Sequence, residues 1–417
     1  MKTHIKILLL LLVISFEPFP QWITQSSGTT NNLSGVYFIN ANDGIAVGIL
    51  GTILRTTNGG MNWFTQSSGT TKNLNNVVFA DDDNGLVVGN EGIILKTVDG
   101  GIIWTLQSSG TTNNLFGISF SDTNNGVTVG VNGTILRTTN GGISWLSENS
   151  NTNFLLYDVD LIDANTGFIV GQQGLILKTT NGGTNWISQT SGTTQTLRSV
   201  SFVNADAGIT VGSNNIILKT TNGGFNWTQQ FSGTTRYLRD VYYLDLNIAS
   251  IVGENGTVLR SSNGGTTWTS QITNTVRTLN SVFFIDSLTG WSVGEGGTIL
   301  STTNGGVSFI EQQEDNHSVN EYVLFQNYPN PFNSNTVIKF SLPEDAANVK
   351  LSIYNALGER VAELVNTSLQ AGRYQYQWNA SDVATGMSAR DGYASGVYIY
   401  ELRTKNFTAV KKMILIK

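Results

Sequence analysis

The sequence predicts an all-β protein, a closed ring of seven four-stranded sheets followed by a small β-sandwich. Three observations predict it. A segment, Gly51-Thr-Ile-Leu-Arg-Thr-Thr-Asn-Gly-Gly-Met-Asn-Trp63, returns every 41 residues, starting again at Gly92, Gly133, Gly174, Asn215, Gly256 and Gly297. Each period holds four short apolar runs bounded by Gly, Asn, Asp or Ser, rich in β-branched and aromatic residues, which is a strand signal. After Ile310 the period stops, and residues 321–417 carry a different set of alternating strands. Four strands per period, seven times over, is the arithmetic of a seven-bladed β-propeller.

Within a period the first run is Val36-Tyr-Phe38 and its relatives, and the second is Gly44-Ile-Ala-Val-Gly48. The third is Thr52-Ile-Leu-Arg-Thr56, and the fourth begins at the Trp, as in Trp63-Phe-Thr-Gln66. The turn Thr56-Thr57-Asn58-Gly59-Gly60 suits a tight hairpin, because Asn tolerates left-handed dihedrals and Gly reaches positive φ without a Cβ clash. Trp63 then has a fixed direction and a large face to bury between blades. The closing aromatic recurs at Trp104, Trp145, Trp186, Trp227 and Trp268, and becomes Phe309 in the last copy. One period before Trp63 stands Trp22. Its strand is expected to close the ring by pairing with the last blade, displacing or flanking Val307–Ile310.

This hairpin resembles the Asp-box, Ser/Thr-x-Asp/Asn-x-Gly-x-x-Trp, through Thr56, Asn58, Gly60 and Trp63. The acidic or amide position continues as Asp99, Asn140, Asn181, Asn222, Asn263 and Asn304, read here as structural. With its surroundings, the segment over residues 21–312 is similar to the photosystem II assembly/stability factor-like (BNR-type) propellers. The resemblance implies the seven-bladed fold and, as one reading, an assembly role.

Residues 313–320 read as a polar linker. Beyond it, strands are expected at Val337–Leu342, Val349–Tyr354, Tyr374–Trp378, Gly396–Leu402 and Ala409–Ile416, which suits an Ig-like sandwich. Asn327-Tyr-Pro-Asn-Pro-Phe-Asn333, Ile353-Tyr-Asn-Ala-Leu-Gly358, Gly396-Val-Tyr-Ile-Tyr400 and Lys411–Lys417 resemble the C-terminal sorting domain of the type IX secretion system. That resemblance implies the secretion machinery as a partner and an outer-surface or secreted location. It agrees with residues 1–20, which read as a signal peptide. Lys2 and Lys6 precede the apolar run Ile7–Phe16, too short to span a bilayer. No segment is expected to cross a membrane as a helix.

Composition removes several function classes. The chain has no Cys, and its two His, His4 and His317, lie outside the repeats, so thiol chemistry and a Ser-His-Asp arrangement in the ring are excluded. Net charge is −6 with no basic stripe in the repeats, against nucleic-acid binding. No cofactor or metal is expected. The Asp81-Asp-Asp-Asn84 run has relatives at Asn40–Asp43, Asp122–Asn125 and Asp163–Thr166, which points to turn chemistry before calcium.

The blades differ most in the turn between second and third strands, where Glu91, Gln172, Gln173, Glu254 and Glu295 mark a candidate binding face. Arg55, Lys96, Arg137, Lys178, Lys219 and Arg260 share one repeat position and so surround the ring instead of converging. Arg198, Arg236, Arg239 and Arg277 break the period and are placed on loops leading into first strands, as a scattered solvated set in preference to a patch. The expected function is a monomeric, secreted or cell-surface, non-catalytic binding protein whose ligand is a glycan or a protein. A glycan-processing hydrolase of the Asp-box type is the alternative from another class, requiring converging carboxylates.

Overall fold

The computed structural model describes residues 22–306, 321–327, 330–332, 335–380 and 393–416. The signal segment, Phe309 with Val307–Ile310, and the linker lie outside the described residues. Contacts divide the chain into two units, Met1–Phe309 and Ile310–Lys417.

The first unit holds seven four-stranded antiparallel sheets, six of them in sequence order from the inner strand outward. Blade one comprises Leu33–Phe38, Asp43–Gly48, Ile53–Thr57 and Phe64–Gln66. Blades two to six repeat it. The second strands are buried along their whole length, as in Gly85–Gly89 and Gly126–Gly130, because each is covered by a blade on either side. This is why the second run reads Gly-x-x-x-Gly without alternation. A Cβ on Gly44 would lie 2.5 Å from the Phe38 ring.

Blade seven completes the ring. Its chain strands are Leu279–Phe284, Gly290–Gly294 and Ile299–Thr302, and its outer strand is Ile23–Gln25. Ile23 pairs with Ser301 and Gln25 with Ile299. The two ends of the propeller chain are therefore laced into one sheet, the velcro that a closed ring of open-edged blades needs.

The Asp-box explains itself atom by atom. In blade one the Thr56 hydroxyl donates to Asn58 Oδ1 (3.0 Å) and accepts from Gly60 N (2.9 Å), and Asn58 Oδ1 accepts from Asn62 N (2.9 Å). Asp99 makes the same bonds from Thr97, Ile102 and Ile103, and those donors hold its carboxyl below the usual range. The corresponding Thr or Ser hydroxyl also donates to Asn140, Asn181, Asn222, Asn263 and Asn304. Trp63, Trp104 and Trp186 are buried, and Trp145, Trp227 and Trp268 pack against the inter-blade cores.

At the closing seam the polar accounting is complete. Trp22, 1% exposed, donates its indole N–H to Gln271 (2.8 Å), and Trp63 donates to Gln25 (3.2 Å). Both glutamines donate in turn to the carbonyl of an Asp-box glycine, Gly305 and Gly59. The equivalent indole nitrogens of Trp104, Trp145, Trp227 and Trp268 are buried without a partner among the described residues. Trp291, where other blades carry smaller or aliphatic residues or Phe168, stacks on Phe38 with centroids 3.4 Å apart and donates to Gly59 O.

The second unit packs a three-stranded sheet (Val323–Leu324, Asn335–Leu342, Gly372–Asn379) against a four-stranded one. The latter runs Arg360–Leu369, Ala346–Asn355, Gly396–Arg403, Thr408–Leu415 across the sheet. The Arg360–Leu369 strand escaped the sequence reading. It is an edge strand, mostly exposed, and its polar residues leave no clear alternation. The sequence motifs converge here. Phe332 N donates to Ile414 O, Ile416 N to Phe332 O, and Ile414 N to Asn330 Oδ1, all within 2.9 Å. Tyr400 Oη accepts from Asn327 N (2.7 Å) and donates to Phe325 O (2.8 Å). The Pro-rich loop is thus clasped to the last two strands.

Replacing Trp22 by Ala removes a buried indole, its bond to Gln271 and the anchor of the closing strand. We expect a loss of about 3–5 kcal/mol, read by chemical denaturation, with a control substitution at exposed Met61 changing stability by less than about 0.5 kcal/mol. Equal effects at the two positions would refute the closing role.

Candidate functional site at the mouth of the channel

The turns between second and third strands are single 3-10 turns, Ile49–Gly51 through Glu295–Gly297. They share a face with the Ser-Gly-Thr-Thr loops, since a Cβ on Gly51 would meet Thr70 O. The Asp-box hairpins lie at the other end, with Gly59 N bonded to Asn42 O. The predicted face residues sit in these turns, and four of the five make a side-chain hydrogen bond or ion pair. Glu91 pairs with Lys72 (2.5 Å), Glu254 with Arg239 (3.3 Å), and Glu295 accepts from Thr278 N (3.3 Å). Gln172 accepts from Leu155 N, while Gln173, Glu91 and Leu50 occupy the left-handed region at φ near 55°. Glu91, Glu254 and Glu295 sit on separate blades, and Gln172 and Gln173 share the turn of blade four.

A different ring of residues lines the mouth. In every blade the inner strand carries a β-bulge at its second position, skipping one residue of the pairing. The skipped residues are Ser34, Asn75, Phe116, Tyr157, Arg198, Arg239 and Asn280, all half-buried. A bulge frees its extra residue from the sheet's alternation and re-aims the side chain. Arg198 and Arg239 thus belong to inner strands, Leu197–Phe202 and Leu238–Tyr243, and not to the preceding loops as the sequence suggested. The apolar run sensed by periodicity starts two residues later, after the bulge.

These seven positions are unequal. Asn75 and Asn280 are used as staples, donating to Leu115 O and Leu33 O of neighbouring blades. Phe116 stacks on Tyr157 (5.7 Å, 22°), and the Arg198 guanidinium lies over the other ring neighbour, 4.2 Å from the Tyr157 centroid. Among the described residues Arg198 makes no hydrogen bond or ion pair, and burial lowers its pKa. Arg239 shares one bond with Glu254 and keeps a buried Nε without a partner. The adjoining loops of blades five and six replace Ser and Thr by Phe231 and Val276, both more than four-fifths exposed. One sector of the bulge ring is therefore aromatic and basic, flanked by exposed apolar side chains, and its remaining positions are Ser34, Asn75 and Asn280.

Beneath the mouth lie three carboxylates that sequence reading passed over. Asp158, Asp160 and Asp240 project from inner strands between blades four to seven. Asp158 Oδ2 accepts from Val200 N (3.0 Å), Asp160 Oδ2 from Phe202 N (2.6 Å) and Asp240 Oδ2 from Val282 N (2.9 Å). Ser119 and Ser201 do the same for Leu161 N and Tyr243 N. From blade three to blade seven, these inner-strand amides thus find an acceptor on the neighbouring blade. The signal was visible as acidic residues inside a strand run (Val159-Asp-Leu161) where other blades carry Tyr, Val, Ser or Phe. Burial raises Asp158 to about 8, helped by the nearby Asp240 charge, and raises Asp160 to about 6. Burial also raises Asp240.

The periodic basic residues are structural. Arg55, Lys96 and Lys178 donate to Gly100, Gly141 and Gly223 carbonyls, each strapping the next blade's Asp-box, while Arg137 pairs with Glu148. Asp81 caps Asp83 N and Asn84 N as an Asx turn. No group of three metal-ligating side chains and no membrane-length apolar helix occurs among the described residues.

The raised carboxyls give stability a sign. Between the unfolded value near 3.8 and the folded values of about 6 and 8, the folded chain binds more protons, so stability falls as pH rises through that window. Thermal unfolding should therefore drop between pH 5 and 9. Asp160→Asn should remove on the order of 1–2 kcal/mol of that drop. A flat profile for the parent chain contradicts the assignment.

The family model of the photosynthesis system II assembly factor YCF48 matches residues 16–106 and 145–283, more than half of the chain. An FlgD Ig-like domain model matches residues 330–395. Among solved structures, YCF48 bound to a D1 peptide superposes with TM-score 0.60 at 20% identity, covering 69% of this chain and 98% of its own. YCF48 from Cyanidioschyzon merolae gives 0.59 at 20% identity, covering 67% and 98%. PorZ, a surface component of the type IX secretion system of Porphyromonas gingivalis, gives 0.51 at 13% identity, covering 91% of this chain and 58% of PorZ. No curated protein matches the sequence. The propeller and the extent of the family match together place the chain in the YCF48 photosystem II assembly factor family.

Proposed function

We propose that the chain is an exported, surface-associated binding protein, without catalysis, that captures a polypeptide segment at the channel mouth. The observation that carries this reading is Arg198, stacked on Tyr157 and without a hydrogen-bonding partner, beside an incompletely paired Arg239. A guanidinium in that state has donors to offer a carboxylate, and the Phe116–Tyr157 pair with Phe231 and Val276 offers apolar contact for flanking side chains. The peptide-bound YCF48 structure on the same fold supports a peptide ligand over a glycan. The hydrolase alternative draws no support from Glu91, Glu254 and Glu295, each engaged in its own turn. A photosystem-type assembly role remains the reading in which the captured segment belongs to a nascent complex.

Export is proposed to run through the signal segment and then the type IX machinery, with the C-terminal sandwich as the sorting signal. What supports this is that the described parts of the four sequence motifs lie on neighbouring strands or are bonded to them, with the Asn330–Phe332 loop clasped to Thr408–Leu415. The full-length chain, produced in a type IX-competent host, should reach the medium or cell surface. Truncation after Thr408 should leave it in the periplasm, and surface delivery of the truncated chain would discard the sorting reading.

Binding is tested with the full chain against arrays of peptides and of cell-wall glycans, with products checked for cleavage. We expect saturable binding to acidic-apolar peptides, weakened at least about ten-fold by Arg198→Ala and by Arg239→Ala. Glycan cleavage would establish the hydrolase instead, and glycan binding insensitive to both substitutions would move the site elsewhere.

A further inference from the structure

We propose that Asp158, Ser199 and Asp240 hold one proton in common beneath the mouth, and that its gain or loss sets how strongly Arg198 and Arg239 hold an anionic ligand. The proposal rests on reading the mouth as an anion-accepting site. Ser199 Oγ lies 3.0 Å from Asp158 Oδ2 and 2.7 Å from Asp240 Oδ1, joining blades four, five and six. A serine hydroxyl has one proton and so donates to only one of these carboxylates. Its second short oxygen–oxygen contact requires the other carboxyl to carry a proton and donate. Val241 N, 3.3 Å away, already supplies the serine with a further donor.

Among the described residues no cationic side chain bonds to either carboxylate of the pair. The remaining bonds to these carboxylates come from backbone amides, Val159 and Val200 on Asp158, Val241 and Val282 on Asp240, and from the Ser281 hydroxyl on Asp240. The titratable groups on the surrounding inner strands are Asp160 and Tyr157 of blade four, Arg198 of blade five, Arg239, Tyr242 and Tyr243 of blade six (the last with its hydroxyl on Gly264 O), and Tyr37 of blade one. Blade seven contributes Asn280, Ser281 and Phe283 there, and blades two and three none that titrate. Glu254 stands behind Arg239. Two unshared negative charges bridged by one hydroxyl in a buried site repel strongly, which one proton relieves.

The coupling follows from the chain. Arg198 directly precedes Ser199 and Arg239 directly precedes Asp240, so each mouth arginine adjoins a member of the proton-sharing trio along an inner strand. Releasing the proton places a second negative charge beside the two guanidinia, where it competes with an incoming anion. Ligand binding must then raise the trio's proton affinity by the same factor that proton loss weakens the ligand. The side chains of an acidic peptide, like Arg and Lys, keep their charge between pH 6.5 and 9, and with the peptide capped at its amino terminus and Asp160, at about 6, already mostly ionised, the trio dominates the change across the window.

The test uses the full chain and a labelled tetraglutamate peptide bearing one phenylalanine. From pH 6.5 to 9 the dissociation constant should rise about three- to ten-fold, the effect of one unit charge nearby. Asp158→Asn keeps the shape, stays neutral, and should hold the low-pH affinity across the range. pH-independent binding by the parent chain overturns the coupling. In parallel, carbon-13 carboxyl NMR of aspartate-labelled protein should show one carboxyl titrating above pH 7 that vanishes in Asp158→Asn. If every carboxyl titrates below pH 5, the shared proton is wrong even where binding is seen. If the peptide does not bind at any pH, the mouth reading and the coupling fall together, and the carboxyl titration alone decides the proton.

Discussion

A blade one sheet thick has two faces and no core of its own, so each must be covered by a neighbour on both sides. That constraint makes ring closure the condition on which the molecule depends. Second strands that are buried on both faces, such as Gly85–Gly89, stay dry only while no seam opens. The sequence places its strongest reinforcement where the ring is joined. Ile23–Gln25 supplies the missing outer strand, Trp22 and Trp63 each find a glutamine acceptor, and Trp291 fills the gap against Phe38. Four seams away from the join tolerate indole nitrogens without partners. A seam held by chain continuity on both sides can tolerate an imperfect polar contact that the join cannot.

The inner strands solve a second problem. Adjacent inner strands approach as separate sheets, and their facing amides have no ladder to complete. Side chains replace the ladder. Ser119, Asp158, Asp160, Ser201 and Asp240 accept from the next blade's backbone, always in the same direction around the ring. Using carboxylates for this task concentrates negative charge in a buried channel, and protonation is the means by which the fold accommodates it. The same choice ties the propeller's stability and its mouth to pH. Both consequences come from one structural need, the pairing of inner-strand amides.

How much of this was legible in the sequence divides by repeat position. Packing and turn positions repeat because every blade needs them, so the 41-residue period exposed the strands, the Asp-box from Asn58 to Asn304, and the ring-wide placement of Arg55 and its equivalents, though not the bond by which Arg55 straps the next blade. Trp22 was legible for the same reason, one period early. The bulge was not. It inserts an unpaired residue without leaving the strand, so Arg198 and Arg239 read as loop residues although they sit on inner strands. The channel carboxylates were hidden by the opposite effect. A polar residue alternating with apolar ones looks like an ordinary solvated strand face, and only closure of the ring turns that face inward.

The same logic separates scaffold from function. A residue that differs between blades is free of the packing that all blades share, and the bulge position is the extreme case, running from Ser34 and Asn75 through Phe116 and Tyr157 to Arg198 and Arg239. The seven side chains are presented by one backbone geometry, so chemistry can change at one blade without disturbing the rest. The left-handed turn residues are constrained more tightly. Gly296 or Asn fits that conformation readily, whereas Leu50, Glu91 and Gln173 hold it at a cost of order 1 kcal/mol. Variation there is opposed by backbone strain, while variation at the bulges meets no such resistance. A propeller of this kind therefore acquires a ligand most readily at the channel mouth, and the uneven distribution of aromatic and basic side chains on blades three to six marks the sector where we propose that this chain does so.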